Sequence, residues 1–247
     1  MPKCRPFWQT LPKTDFCART HQSPGLLPHP EAHRFSLPKD FGIFVCSLEN
    51  IPSVQFAELD LSKEYTYADY LKWTFDERLE IIKGKLFKMS PAPSRIHQKL
   101  SWEIAGELAD YLKGKPCEAY SAPFDVRLPQ KSKEDKEIIT IVQPDICVVC
   151  DASKLDEKGC LGAPDIVIEI LSPGNNKKEL ANKYDVYEEA GVKEYWLIAY
   201  EIKACFQYIL NKEGRYFAAK PLTAGDIVTT PILPGFSLNL EEVFGVL

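Results

Sequence analysis

The sequence lacks several features that mark common protein classes. No apolar run approaches the roughly 18 residues of a membrane span. The longest early run, Gly42 to Leu48, is too short and too far from the start for a signal peptide. The GxGxxG dinucleotide loop, the Walker A motif, the GxSxG nucleophile elbow and the HExxH zinc pair are all missing. These absences predict a cytoplasmic protein with no membrane segment and no nucleotide cofactor, and leave familiar NTPases and serine hydrolases without support.

An excess of positive charge is also missing. The 247 residues carry 30 Lys and Arg against 35 Asp and Glu, a net charge of -5. Nucleic acid would therefore have to contact a local basic face rather than meet bulk positive charge. Basic residues cluster around one predicted hairpin and two predicted helices, although solvated surface lysines explain such runs equally well. They are Lys83, Lys85, Lys88, Arg95, Lys99, Lys177, Lys178 and Lys193.

The eight cysteines show no repeated spacing, and a chain of this length needs no disulfide staples. Reduced thiols in a reducing compartment are therefore predicted. Cys147 and Cys150 form a CxxC, but it lies inside a predicted strand, where residues three apart point to opposite faces. Zinc or redox chemistry at this pair is disfavoured for that reason.

Composition divides the chain near residue 60. Residues 1–60 hold eight of the 19 prolines and show little apolar periodicity, so they bury too little to offset the cost of ordering. We predict a disordered extension there, with a wrongly assigned start as the alternative, and one domain over residues 61–247. Removing residues 1–60 is expected to leave stability and activity unchanged.

Residues 61–247 alternate between helical and strand patterns. Apolar residues recur every four positions from Ser94 to about Lys113, which predicts one long amphipathic helix. Strands are predicted over Asp165–Leu171 and Glu194–Tyr200, with a helix over Lys177–Ala190 between them. This order indicates an α/β or α+β fold, in which helices flank a mixed central sheet.

Glu169 is the most informative residue, because it lies in the middle of an otherwise apolar strand. A buried carboxylate must be paired, protonated or bound to a metal. A buried ion pair or an edge position facing solvent are the alternatives to a metal site. Asp165 lies about 13 Å away along the same strand, too far for a shared ion. Asp145, which follows Pro144 at a strand break, is the better partner.

Glu80 supplies a third carboxylate, just before the Lys83-Gly84 turn. Three carboxylates would make a hard oxygen site of the kind that takes Mg²⁺ or Mn²⁺ with a substrate phosphate. Phosphodiester cleavage needs such a site, together with a cation for the transition state. Lys183, on the helix after the Glu169 strand, is the candidate. An ordinary helix salt pair with Glu179 is the alternative role for Lys183.

An ordered set of segments resembles the Uma-two family of restriction endonucleases, within the PD-(D/E)XK nuclease superfamily. The resemblance covers about residues 65–245. The segments are Leu79–Pro93 with His97, Pro144-Asp145, Pro164–Pro173, Lys183 with Tyr187, and Ala190–Trp196.

The resemblance implies a restriction-endonuclease-like fold and metal-binding acids at Asp145 and Glu169, with Glu80 as a further acid. The superfamily lysine, two residues after the second acid, would fall at Leu171, so the resemblance implies a lysine relocated to Lys183. His97 matches a family feature without a settled role, and a surface or capping histidine is the alternative.

The sequence therefore predicts a Mg²⁺- or Mn²⁺-dependent endonuclease acting on double-stranded DNA. Glu80, Asp145, Glu169 and Lys183 are the expected catalytic residues, with His97 and Glu179 as accessory candidates. Duplex recognition commonly uses two sites, so a homodimer is one expectation. The alternative function is a catalytically silent nuclease fold that binds DNA or a protein partner.

Overall fold

The computed structural model describes residues 56–75, 77–89, 92–172 and 177–245, without the side chains of residues 177–179. Most of the predicted N-terminal extension therefore lies outside the described residues. Its last part includes a 3₁₀ helix, Phe56–Glu58. The Phe56 ring packs edge-on against Phe75, with centroids 5.9 Å apart.

Four α-helices and fifteen strands make up the described part of the chain. In chain order they are α1 (Tyr67–Tyr70), β1 (Leu79–Ile82), β2 (Lys85–Lys88), α2 (Arg95–Leu112), β3 (Glu118–Ser121), β4 (Val126–Arg127), β5 (Ile141–Val142), β6 (Ile146–Val149), β7 (Leu155–Asp156), β8 (Gly159–Leu161), β9 (Ile166–Ile170), α3 (Lys177–Ala190), β10 (Glu194–Ala199), β11 (Ala204–Leu210), β12 (Tyr216–Ala218), β13 (Leu222–Thr223), β14 (Ile227–Val228), β15 (Leu238–Asn239) and α4 (Leu240–Gly245).

The central sheet has the order β12-β11-β10-β9-β6-β3, with β13 added to β11. Strands β9 and β10 are parallel and joined through α3, as the strand, helix, strand pattern predicts. The other pairs in this sheet are antiparallel, so the sheet is mixed. Since β9 lies between β10 and β6, the edge position considered for Glu169 is wrong.

Helices cover both faces of the central sheet. The four-residue repeat of α2 buries Leu100, Ile104 and Leu108 in one cluster with Ile146 and Ile168. On the other face, α3 packs Val186 and Tyr187 in a cluster with Cys147 and Val167. This double cover explains why β9 is almost entirely apolar. It confirms the predicted mixed sheet flanked by helices.

Local signals set the ends of several elements. Thr66 and Asp69 form a capping box at the start of α1. Ser94 caps α2 by accepting a hydrogen bond from the His97 backbone N–H at 3.2 Å. Lys83 and Gly84 both have positive φ, 51° and 78°, as a two-residue turn between β1 and β2 requires.

The strand break that the sequence predicts at Pro144 is confirmed. The β-branched run Ile138–Val149 divides at Gln143–Asp145 into β5 and β6. Strand β5 joins a second sheet of order β2-β1-β5-β4-β8-β7, whereas β6 joins the central sheet. Pro144 has no N–H to donate to a ladder, so the break falls where the chain crosses between sheets.

The prediction of reduced thiols is wrong for one pair, because Cys117 and Cys150 form a disulfide. The register pairs Glu118 with Val149, which places the flanking cysteines opposite each other. The CxxC side chains do diverge as predicted: Cys147 packs among the α3-side residues and Cys150 against the α2-side cluster. Within the described ranges, no helix is long and apolar enough to cross a membrane.

Candidate active site

Asp145 and Glu169 face each other across two antiparallel strands. Strands β6 and β9 pair Ile146 with Ile168, so the next pair in the same register is Asp145 with Glu169. Directly opposite residues of an antiparallel pair point to the same face, with Cβ atoms about 5 Å apart. The sequence therefore brings its two best acids together through strand register rather than local spacing.

Two neighbouring groups orient the Asp145 carboxylate. The backbone N–H of Ile170, one residue after Glu169, donates a 2.8 Å hydrogen bond to Asp145 Oδ2. His97 Nε2 lies 3.2 Å from the same oxygen. Both contacts use Oδ2, which leaves Oδ1 as the ligand oxygen among the described contacts. The histidine is 8% exposed, so the surface alternative is wrong.

A buried ion network holds Glu169. The Lys183 amine lies 3.0 Å from Glu169 Oε1 and 3.0 Å from Glu80 Oε1. The Tyr187 hydroxyl donates to Glu169 Oε1 at 2.9 Å. Both described contacts therefore meet the same oxygen of Glu169, and Oε2 is the oxygen that remains for a ligand. The buried ion pair considered for Glu169 is thus present beside Asp145 in the same structure.

Glu80 lies at the back of this network. Its Oε1 also accepts a 2.8 Å hydrogen bond from the Gln143 backbone N–H. Its Oε2 is buried with no partner among the described residues. Glu80 is fully buried and does not line the cleft, so it meets Glu169 through the Lys183 amine. Its position suits holding Lys183 better than direct contact with substrate.

Burial and neighbouring opposite charges shift the pKa values of these groups in opposite directions. Burial raises the pKa of Glu169 to about 7, against the lowering effect of Lys183, and the charges of Asp145 and Glu80 add to the rise. Burial alone would lower the pKa of Lys183, but Glu169 and Glu80 outweigh it and raise that pKa. The pKa of His97 is likewise raised, because Asp145 outweighs its burial. Lys183 is therefore a permanent cation beside two acids.

Asp145 and Glu169 lie at a cleft of about 790 Å³. Asp145, Glu169 and Lys183 line one end, and the exposed side of α2 lines the other. Arg78 also lines the cleft and donates to Gln143 Oε1 at 2.8 Å. The volume is in the range of small-ligand sites.

Two carboxylates at the cleft suit a divalent cation. Mg²⁺ is usually bound through one or two protein carboxylates, with waters and substrate phosphate completing its octahedron. Asp145 Oδ1 and Glu169 Oε2 fit that role. In the part of the chain that the structure describes, no group of three or more His, Cys, Asp or Glu side chains could hold a metal ion. Glu80 does not line the cleft, so Asp145 and Glu169 stay the predicted metal ligands.

Sequence reasoning overlooked three contributors. Tyr187 is among the residues that carry the resemblance, but the sequence gives no role to its hydroxyl, which contacts Glu169. Gln143 and Arg78 had no motif to mark them. The only local hint for Gln143 was its place before Pro144 at the strand break. Glu179 lies in α3, but its side chain is outside the described residues, so its accessory role stays a prediction.

The predicted basic face is only partly available. Lys83 pairs with Glu189 at 2.7 Å and Lys193 with Asp165 at 2.6 Å. Lys85 donates to the Ser62 carbonyl at 2.9 Å. Arg95 and Lys99 are exposed on α2, the helix whose Gln98 and Trp102 line the cleft. The α2 end of the predicted patch is thus the part best placed to meet phosphate.

Comparisons with known proteins agree with the fold. The Uma2 family model, described as a putative restriction endonuclease, matches residues 67–241. An uncharacterized protein of Synechocystis sp. is 22% identical over 149 residues, covering 59% of this chain and 74% of that protein. A crystal structure of a putative nuclease belonging to DUF820 from Anabaena variabilis aligns with a TM-score of 0.57 and 21% identity, covering 73% of this chain and 98% of the other. At that identity the likeness shows the fold.

Proposed function

We propose that this chain, which belongs to the Uma2 family of putative restriction endonucleases, is a Mg²⁺- or Mn²⁺-dependent DNA endonuclease. One observation carries the proposal: Asp145 and Glu169 are opposite each other at one end of a cleft, with the Lys183 amine fixed to Glu169. Paired acids with a buried lysine in a nuclease-family fold suit phosphodiester hydrolysis. DNA is the expected substrate, as the double strand that the sequence predicts or as unpaired segments within it.

Each side chain would have a separate task. Asp145 and Glu169 would hold the cation through Oδ1 and Oε2, because their other oxygens are already engaged. When bound, the cation would polarise the phosphoryl oxygen and lower the pKa of a bound water. Lys183 would stabilise negative charge on the phosphate, and Glu80 would hold that amine in place. His97 and the Ile170 N–H would orient Asp145.

A binding module without catalysis is the second candidate. The observation that favours it is the double pairing of Lys183, whose amine already contacts two carboxylates at 3.0 Å. An amine held this firmly has less freedom to follow a reacting phosphate. The same fold would then bind DNA through the cleft without cutting it.

Cleavage of supercoiled plasmid separates the two candidates. Purified protein is incubated with plasmid and Mg²⁺, Mn²⁺ or EDTA, beside Asp145→Asn and Glu169→Gln. Asp185→Asn, an exposed carboxylate on α3, is the matched control. We expect metal-dependent nicking by wild type and Asp185→Asn, and loss of at least about 100-fold in both site variants. Equal activity in all four proteins would indicate a contaminant. Binding without cleavage under any metal would favour the silent module.

A further inference from the structure

The cleft has a second end that the proposed chemistry does not use. From the carboxylates it continues along one face of α2, past Gln98, Ser101, Trp102, Ala105, Gly106 and Ala109. His97 to Ala109 spans 12 residues, about 18 Å at 1.5 Å per residue. The cleft is therefore longer than a single phosphate requires.

Trp102 is not packed in the way that a structural tryptophan is. It is 81% exposed, the most exposed large hydrophobic side chain in the described part of the chain. In contrast, the core positions of α2, Leu100, Ile104 and Leu108, are fully buried. A single exposed hydrophobic residue needs no special explanation, but an indole at the wall of a cleft presents an apolar aromatic face to whatever the cleft binds.

Gly106 adds no side chain to the wall of the cleft near Trp102. It lies four residues after Trp102, on the same face of the helix. A Cβ at Gly106 would meet nothing within 4 Å, so packing does not require glycine there. Glycine is also among the least favourable residues in a helix interior. Ala105, Gly106 and Ala109 therefore leave the α2 wall of the cleft beyond Trp102 without large side chains.

Polar groups line the same cleft. His97 is 8% exposed there, with its Nε2 3.2 Å from Asp145 Oδ2. Gln98 and Ser101 add amide and hydroxyl groups between His97 and Trp102. Hydrogen-bonding groups beside a flat aromatic surface suit a nucleobase, which has polar edges and two π faces.

The spacing of Trp102 from His97, and the basic residues nearby, relate the Trp102 end of the cleft to Asp145 and Glu169. Trp102 is five residues from His97, about 7.5 Å along the helix axis. That distance is about twice the 3.4 Å step between stacked nucleotides in one strand. Arg78 lines the cleft, and Arg95 and Lys99 are exposed on α2 for the sugar-phosphate backbone.

We infer that Trp102 stacks on an unpaired DNA base one or two nucleotides from the cleaved phosphate, so that the preferred substrates are single-stranded or locally unpaired DNA. A base inside an intact duplex is stacked on both faces and would have to leave the helix to reach the ring. This inference rests on the proposed nuclease function for the position of the phosphate, but base binding itself does not require cleavage.

Tryptophan fluorescence in EDTA tests base binding without catalysis. A short single-stranded oligonucleotide is titrated into wild type, Trp102→Phe, Trp102→Ala and Gly106→Leu. Trp73→Phe is the matched control, since Trp73 packs among Tyr65, Tyr70 and Phe75 away from the cleft. Affinity is measured in parallel by anisotropy of the labelled oligonucleotide, because quenching needs an indole and binding does not.

We expect quenching in wild type and in Trp73→Phe, and its loss in Trp102→Phe. Anisotropy should show near-normal affinity for Trp102→Phe, which keeps a ring. Trp102→Ala and Gly106→Leu should bind roughly 5- to 150-fold more weakly, the range for loss of one stacked base. A same-sequence duplex should bind weakly in every protein, and one unpaired base in that duplex should restore the dependence on Trp102.

Several results would overturn the inference. They are quenching that persists in Trp102→Phe, equal single-strand affinity in Trp102→Ala, or equal dependence on Trp102 for intact duplex. If Trp102→Ala instead alters the sedimentation coefficient and leaves oligonucleotide binding unchanged, the ring is a contact between copies of the chain, and the inference fails.

The inference and the proposed function fail separately. Metal-dependent cleavage that is independent of Trp102 on every substrate would leave the nuclease and remove the stacking role. Single-strand binding that depends on Trp102, without cleavage under any metal, would leave the stacking role and remove the nuclease.

Discussion

Replacing Lys183 with methionine tests the buried ion network most directly. Methionine has nearly the same length as the aliphatic part of lysine but carries no charge, so packing is largely kept. Glu80 and Glu169 would then face each other in the interior without a cation. Glu80 is fully buried and Glu169 is 8% exposed, so water cannot replace the amine.

The expected loss follows from that burial. Removing one partner of a buried ion pair costs about 3 to 5 kcal/mol, because the remaining charge is unpaired. For a domain of this size, that loss lowers the melting temperature by roughly 6 to 20 °C. Lys113→Met is the matched control, since Lys113 and Asp110 form a pair with side chains 77% and 78% exposed. We expect that control to remain within about 1 kcal/mol of wild type.

Urea unfolding in EDTA measures the free energies of unfolding of Lys183→Met and Lys113→Met against wild type, at pH 5 and at pH 8. Burial raises the pKa of Glu169 to about 7 in the folded protein, above the ordinary value of 4.5. The folded state therefore binds a proton more tightly than the unfolded chain, and this group costs stability as pH rises from 4.5 to 7. Without the amine the folded pKa would rise further, so Lys183→Met should lose more stability at pH 8 than at pH 5.

A double variant completes the test. In Glu80→Gln/Lys183→Met one buried charge is removed with the amine, so the double variant should be more stable than Lys183→Met alone. An interaction of about 0.5 to 3 kcal/mol is expected for groups in contact. The reasoning is refuted if Lys183→Met lies within 1 kcal/mol of wild type at pH 8, or if the two changes are additive.

Three further predictions concern stability and use the same unfolding assay. Gly106→Ala should raise the free energy of unfolding by about 0.5 to 1 kcal/mol, because its new Cβ meets nothing; a loss would show an unseen neighbour. Thr66→Ala should cost about 1 kcal/mol through loss of the capping box with Asp69, whereas Thr66→Ser should cost little. Replacing Cys117 and Cys150 with serine should cost about 2 to 4 kcal/mol for a disulfide that spans 33 residues, and reductant should lower wild-type stability but not that of the double variant.

Local sequence signals predicted the elements that local physics controls. The repeat of Leu100, Ile104 and Leu108 fixed α2 to within a residue at each end. The Lys83-Gly84 turn was equally readable, because it depends on adjacent residues. Glu169 was found for a related reason: a lone carboxylate in an apolar strand demands a partner.

Long-range pairing explains what the sequence did not reveal. The disulfide depends on the register of β3 with β6, and nothing near Cys117 announces Cys150. The contact of His97 with Asp145 joins a helix start to a strand start 48 residues away. Tyr187 has the pattern of a core residue because its ring is buried. Only its hydroxyl reaches Glu169.

The pairing of β6 with β9 makes the site sensitive to insertions and deletions more than to substitutions. Successive side chains of a strand point to opposite faces, so a one-residue slip turns every side chain to the other face. Deleting one residue within β6, with the rest of its register kept, would move Asp145 opposite Ile168 and bring Pro144 opposite Glu169. The composition of the strand would hardly change, but the two acids would no longer face each other. The loops between Asp145 and Glu169 can therefore vary in length, whereas β6 and β9 must each keep their number of residues.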